Sequence, residues 1–154
     1  MVAKYEIDSL DLKIIKALQD DARKPFLEIA RKLTVSGGTI HQRMEKLKEM
    51  GIIKGSKLVV DYKKLGQKVS VLLGIHLHNA KDVSKVIKKL GKLNEVVETH
   101  YTTGNFALMV KVIVKDIDHF HSFLVKKLQV IEEILSTESF ICLDSPIERE
   151  LSLI

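Results

Sequence analysis

Apolar residues in the first third of the chain recur every three or four positions, in three short blocks. Leu10, Ile14, Ala17 and Leu18 form one helical face behind Asp8, a natural N-cap, and Asp20-Asp21 with Arg23-Lys24 mark its exit. Pro25 suits the first turn of a second helix whose inner positions are Phe26, Ile29, Ala30 and Leu33. Thr34-Val35 leaves room for a tight turn only, and Ser36 then caps a third helix that Gly51 ends. Ile40, Met44 and Leu47 make its single apolar stripe. Two helices joined by so short a turn form a helix-turn-helix unit. Beyond Gly51, Ile52-Ile53 and Leu58-Val59-Val60 flank Lys54-Gly55-Ser56-Lys57, which predicts a small hairpin with a basic tip, the wing of a winged helix-turn-helix.

The period changes near residue 67. Val69, Val71, Leu73, Ile75 and Leu77 alternate in period two, as a half-buried strand does. Asp82 opens a helix with Val83, Val86, Ile87 and Leu90 inside, and a second strand spans Val96–Thr102. Gly104-Asn105 turns the chain into a third, with Phe106, Leu108, Val110 and Val112 on one face. Asp116 caps a helix carrying Ile117, Phe120, Leu124 and Leu128, and a fourth strand spans Ser136–Leu143. The order β-α-β-β-α-β is the ferredoxin-like arrangement, and the fold class is therefore α+β. Both helices would cover one face of the sheet. The other face would present Leu72, Gly74, Val96, Met109, Ile113, Phe140 and Cys142, too apolar for water, so a second copy is its simplest cover and a homodimer is expected. Residues 1–66 and 67–154 are expected as two domains, with the hairpin linker at about 52–66.

Charge separates these halves further. Residues 1–66 hold 14 Lys and Arg against 9 Asp and Glu, whereas residues 67–154 hold 11 of each. The whole net charge of +5 thus belongs to the first half, which points to a polyanionic partner there. A solvated basic surface is the plainer alternative. No apolar run reaches membrane-span length, and the first residues lack a signal-peptide core, so the cytoplasm is expected. Cys142 is the only cysteine, which excludes an internal disulfide and a multi-cysteine zinc site; its apolar setting predicts a buried, inert thiol.

The third helix carries the chemistry of the first half. Opposite its apolar stripe stand Thr39, His41, Gln42, Arg43 and Lys46, donors suited to base edges and phosphates in a major groove. Gly37 and Gly38 loosen the first turn but keep it slim enough for close approach to phosphate. Ser36, Lys54 and Lys57 complete the candidate DNA contacts. An ordinary amphipathic surface helix would show the same stripe.

Three segments resemble the Lrp/AsnC (feast/famine) family of bacterial and archaeal regulators, and the likeness spans essentially the whole chain. They are Ile-Asp-Ser-Leu-Asp-Leu-Lys-Ile-Ile (7–15), the Val35–Gly55 stretch, and Tyr-Thr-Thr-Gly-Asn-Phe (101–106). Together with Ile-Glu-Glu-Ile-Leu-Ser-Thr-Glu (131–138), they are most similar to the asparagine-responsive branch. The resemblance implies a transcription regulator binding double-stranded DNA and an amino-acid effector, with dimers assembling into octamers. It also implies an effector site made by Tyr101, Thr102, Thr103, Gly104, Asn105 and Phe106, with Gln129, Ser136, Thr137 and Glu138. Gly104 is expected to permit a tight turn with free backbone N–H groups for a carboxylate, although a plain polar hairpin reads the same way. Three positions depart from the family pattern: Thr34 where glycine is usual, Gly37 where proline is common, and Asn105 where many members are acidic.

Two other functions fit parts of the pattern. A nucleoid-type protein would wrap DNA through phosphates with little sequence choice. A small ferredoxin-like enzyme is the alternative from another class. The sequence shows no nucleophile beside a base and no glycine-rich phosphate loop. His76 and His78 fall on one face of the first strand, with His100 within reach from the second, but zinc needs three or four converging ligands; neither catalytic residues nor a metal or other cofactor is expected.

Overall fold

The computed structural model describes residues 6–153. The chain packs as two compact units, one running to Val59 and rejoined by the chain from Ile147, the other Val60–Pro146. Each is built around its own apolar cluster.

The first unit holds α1 (Ser9–Asp20), α2 (Phe26–Leu33) and α3 (Gly37–Glu49). Asp8 caps α1 through Oδ1, which accepts from the N–H groups of Leu10 and Asp11, while Asp11 accepts from the Asp8 N–H at 3.1 Å. This reciprocal box satisfies donors that a helix start otherwise leaves bare. Ile14, Ile29, Ala30, Ile40 and Met44 form the core, with Leu10, Ala17, Leu18, Phe26, Leu33, Val35 and Ile53 at its margin. The periodicity of the sequence therefore identifies all three inward faces.

Both exits around α3 use the same device. After α2, Thr34 adopts φ 58° and ψ 44°, and the Val35 N–H reaches back to the Ala30 carbonyl at 3.0 Å. After α3, Gly51 has φ 69°, its N–H donates to Lys48, and the Ile52 N–H donates to Leu47 at 3.0 Å. These are paired Schellman closures. The glycine enters the left-handed region freely; the β-branched threonine is strained there.

The expected wing is not formed. Residues 53–60 run without strand pairing, and Leu58 and Val59 are 82% and 95% exposed. An isolated two-stranded ribbon has too little burial to hold itself together, and these side chains find no core among the described residues.

The second unit contains β1 (Val69–Leu77), α4 (Val83–Leu90), β2 (Val96–Tyr101), β3 (Leu108–Val114), α5 (Ile117–Phe123) and β4 (Ile134–Ile141). A 3-10 turn at Ala80–Asp82 leads into α4, and a π-helical turn at Leu124–Leu128 prolongs α5. The sheet is antiparallel in the order β2-β3-β1-β4, as the ferredoxin-like reading requires. Val71, Leu73 and Ile75 face Val112, Val110 and Leu108 in register, and this face is buried under Val86, Leu90, Phe120, Phe123 and Leu128.

Local irregularities shift several side chains from their expected places. A bulge between Val96 and Glu98 turns Val96 into the helix-covered core and leaves Val97 half out, so Val96 does not belong to the open face. Ile87 and Ile117 lie on the outer sides of their helices, 38% and 52% exposed, while Phe123 takes the buried place that the pattern left unassigned. Strand three begins at Leu108 rather than Phe106, β4 is displaced towards Ile134, and Cys142 is half-buried rather than buried. His78 lies past the end of β1, after an irregularity in its pairing with β4, and not on a strand face with His76.

Two carboxylates anchor the helical layer. Glu95 receives Lys127 Nζ at 2.6 Å and His119 Nε2 at 3.4 Å; burial raises its carboxyl, but these hydrogen bonds outweigh that and hold it low. Glu133 accepts from Lys85 and from Lys89, which lower its carboxyl from the ordinary 4.5 to about 2.

This packing has two consequences for stability. Thr34→Gly removes the left-handed strain, partly offset by a freer unfolded chain, and should raise stability by roughly 0.5 kcal/mol, seen as a higher Tm. Glu133 binds a proton more readily unfolded than folded, so its contribution is complete above pH 4.5 and vanishes as pH falls towards about 2. Denaturant titrations should therefore show Glu133→Gln less stable than the parent at pH 6, with the gap closing below pH 3.

Candidate DNA-reading helix and effector cleft

Ser36 starts α3 by accepting the Thr39 N–H at 3.0 Å, and the two hydroxyls lie 2.9 Å apart. Thr39 is thereby half-buried and engaged at the helix start. A methyl added at Gly37 would stand 3.0 Å from Leu27 Cδ2, the tip of an exposed side chain. Gly38 has room by comparison, its nearest contact being Ser36 Oγ at 3.7 Å. His41 is exposed but leans edge-on against Phe26, with ring centroids 4.7 Å apart. Gln42 and Lys46 are exposed on the outer side of α3, and Lys54 and Lys57 on the extended segment after it.

Arg43 points elsewhere. Its Nη1 donates to Asp8 Oδ2 at 2.6 Å and to both Asp11 oxygens at 3.1 Å. Asp11 is fully buried, and the Arg43 guanidinium beside Asp8 holds that carboxyl below its usual range. The side chain thus bolts α3 to the start of α1. The sequence marked Asp8 as a cap but gave Asp11 no role, because a charge at the third position of a helix usually faces water.

In the second unit, the 101–106 turn borders a cleft of about 260 Å³. Tyr101, Thr102, Gly104 and Asn105 line it from the turn; His76, Leu77, Ala80, Val83 and Ala107 supply the rest. Thr102 closes the loop, its N–H donating to Ala107 and its hydroxyl to the Phe106 carbonyl. Thr103 is exposed on the turn outside the lining. Gly104 is not forced by its backbone: it lies outside the left-handed region, and an added methyl would meet nothing within 4 Å. The expected requirement for φ freedom at this turn therefore does not hold.

Phe106 corrects a second expectation. It does not share the face of Leu108, Val110 and Val112 but lies over Gly74 on the open side, 4.9 Å from the His76 ring and 6.3 Å from Phe140. A methyl at Gly74 would come within 2.6 Å of that ring, so glycine here is a seat for an aromatic. Ser136 pairs with His76 across β1 and β4, Thr137 with Ile75 and Glu138 with Gly74. Glu138 Oε1 reaches to 3.9 Å from His76 Nε2. Gln129 follows the π-helical turn, its N–H bonded to the Leu124 carbonyl at 2.8 Å, and is exposed outside the cleft lining. His76, Leu77, Ala80, Val83 and Ala107 escaped sequence reasoning. The signal was the antiparallel pairing of Ile75 with Leu108, which sets the end of β1 beside the turn.

Comparison with known proteins accounts for both regions. The pattern of the AsnC-type helix-turn-helix domain matches residues 7–48, and that of the Lrp/AsnC ligand binding domain matches residues 68–151. The regulatory protein AsnC of Haemophilus influenzae is 50% identical over 147 residues, covering 96% of this chain and 98% of that protein. The solved structure of Escherichia coli AsnC superimposes with a TM-score of 0.91 at 43% identity, over 96% of this chain and 99% of the other. The L-Met complex of the Neisseria meningitidis regulator NMB0573 shares the fold, with a TM-score of 0.89 at 19% identity over 97% of each chain. A helix-turn-helix start, a four-stranded sheet under two helices and likeness along nearly the whole length agree: the chain belongs to the Lrp/AsnC family of transcriptional regulators.

Proposed function

We propose that the chain is a sequence-specific DNA-binding regulator whose DNA affinity or assembly responds to a small amino acid, asparagine first among the candidates. The observation that carries the reading is the pairing, in one chain, of an AsnC-type helix-turn-helix with a ligand-binding domain whose 101–106 turn borders a cleft. No catalytic role is assigned to any residue, and the protein acts in the cytoplasm as a binder rather than an enzyme.

In this reading residues 1–66 read DNA and residues 67–154 sense the effector and assemble. Homodimers place two α3 helices in successive major grooves, and dimers associate further into an octamer. Thr39, His41 and Gln42 face base edges or the adjoining backbone, and Ser36, Gly37 and Gly38 let the helix start approach phosphate. Lys46, Lys54 and Lys57 contact phosphates. Arg43 acts through Asp8 and Asp11 by fixing the angle of α3. The amino acid lies against Tyr101–Phe106, with Gln129 and Ser136–Glu138 completing the site, some of them from a neighbouring subunit. Binding there shifts the population of assemblies and so the DNA affinity.

Fluorescence anisotropy on a selected DNA site checks the first half. Gln42→Ala should cost roughly 1–3 kcal/mol at one base position, and Lys54→Ala should lower the salt slope by about one on every sequence. Arg43→Ala should instead lower Tm, by roughly 3 kcal/mol of stability, because it removes the cation beside the buried Asp11 carboxylate. An unchanged salt slope and unchanged base preference in the first two variants would overturn the DNA assignment. A thermal-shift screen against the twenty amino acids checks the second half, since a ligand of the folded state alone must raise Tm. Gly104→Val should abolish a ligand-induced rise while leaving the unliganded Tm within about 1 kcal/mol of stability, as an added side chain there meets no neighbour. A retained rise would remove Gly104 from the site.

A further inference from the structure

Leu27 is the exception to the pattern that buries the apolar residues of the first unit. Its neighbours Phe26, Ile29, Ala30 and Leu33 belong to the core or its margin, whereas Leu27 is 65% exposed. Among the described residues, no other large apolar side chain of α1, α2 or α3 is exposed. Its Cδ2 lies over the first residue of α3, 3.0 Å from where a methyl on Gly37 would stand. About one turn further along α3, Phe26 meets the His41 ring, with centroids 4.7 Å apart. The first turn of α2 therefore lies along the first two turns of α3, and Leu27 extends the surface that the helix-turn-helix presents at the start of α3.

An aliphatic side chain can hydrogen-bond neither a base edge nor a phosphate. Of the groups that base pairs present in the major groove, one is apolar, the C5-methyl of thymine. Gly37 and Gly38 supply no side chain, so the apolar group at this end of α3 comes from α2. Covering Leu27 and a thymine methyl with each other removes both from water. We propose that Leu27 is a specificity-determining residue that reads a thymine through its C5-methyl. This rests on the sequence-specific DNA-binding reading above and adds a contact from α2 to those of α3. DNA, rather than an apolar protein surface, is the occupant because of where the side chain sits. It adjoins the DNA-reading helix of an AsnC-type helix-turn-helix, in the half of the chain that carries the whole net charge of +5.

Fluorescence anisotropy of the full chain on a duplex enriched from a random library tests it. Each thymine is replaced in turn by deoxyuridine, which lacks the methyl and keeps every hydrogen-bonding group. At least one thymine should be sensitive, its replacement weakening the parent about fourfold, the ratio expected for one buried methyl group. Leu27→Ala should bind the thymine and uracil duplexes alike. Leu27→Met, which keeps an apolar side chain of similar size, should retain the difference. Leu27 lies largely outside the core, so both variants should keep the parent's Tm, and neither should change the salt slope. Absence of any methyl-sensitive thymine overturns the proposal. So does a methyl dependence that survives in Leu27→Ala, since another residue then reads that group and any loss common to both duplexes belongs to the sugar–phosphate backbone. Loss of the dependence in Leu27→Met as well as in Leu27→Ala also overturns it, because the contact is then not one that an apolar group of this size makes. These results leave the sequence-specific reading standing. Failure of the library to yield any preferred sequence overturns that reading and this proposal with it.

Discussion

The two-residue alternation of β1 sets the plan of the second unit. Val71, Leu73 and Ile75 point into a core closed by α4 and α5, and that core fixes the strand's register against β3 and β4. A slip of one residue would exchange this row with Leu72, Gly74 and His76 and expose the apolar row to water. Everything chemically interesting lies on the second row or at its end. Gly74 makes the hollow for Phe106, Phe106 supports His76, and His76 meets Glu138 from β4. The placement of these side chains therefore depends on burial on the opposite side of the same strand.

Glycines in this unit have different reasons to exist, and the local sequence does not distinguish them. Gly104 sits in a turn, where conformational freedom is the obvious explanation, yet its backbone needs none. Gly74 sits mid-strand, where glycine costs stability, and is demanded by an aromatic ring that arrives from the far side of a hairpin. The first meets no neighbour among the described residues. The second is a matter of internal packing.

Much of the fold was legible because its signals are local. Asp8, Ser36 and Gly51 each mark a helix end through a hydrogen bond to a residue two to four places away, and the apolar stripes of α1, α2 and α3 identify the first core completely. The four-stranded order was legible for the same reason. What was lost depended on contacts distant in sequence. The bulge at Val96 is a mismatch with β3, and Phe106 breaks alternation to reach Gly74, some thirty positions earlier. The hairpin expected after Gly51 had suitable residues but no surface on which to bury them, and residue preference alone does not make a strand. Of the candidate effector residues, Tyr101, Thr102, Gly104 and Asn105 line the cleft, whereas the rest of its lining came largely from the end of β1 and the start of α4, to which no motif pointed.

Arg43 shows how a basic residue on an exposed-looking helix face can be engaged within its own chain. Counting it among the bases of the first half overstates the charge offered to a phosphate backbone, because Asp8 and Asp11 already surround it. Its buried partner makes the arrangement costly to break: Asp11 has no access to water, and a carboxylate there without its counter-charge would be strongly unfavourable. Removing Arg43 would therefore weaken DNA binding even if it never met a base, through loss of the helix orientation on which base reading depends. Lys54 and Lys57, by contrast, are exposed on the extended segment after α3. A residue that orients the helix and a residue that touches DNA both lower affinity when removed. Only the first also lowers stability, and only the second also lowers the salt slope, so the two roles separate when both quantities are measured on the same variant.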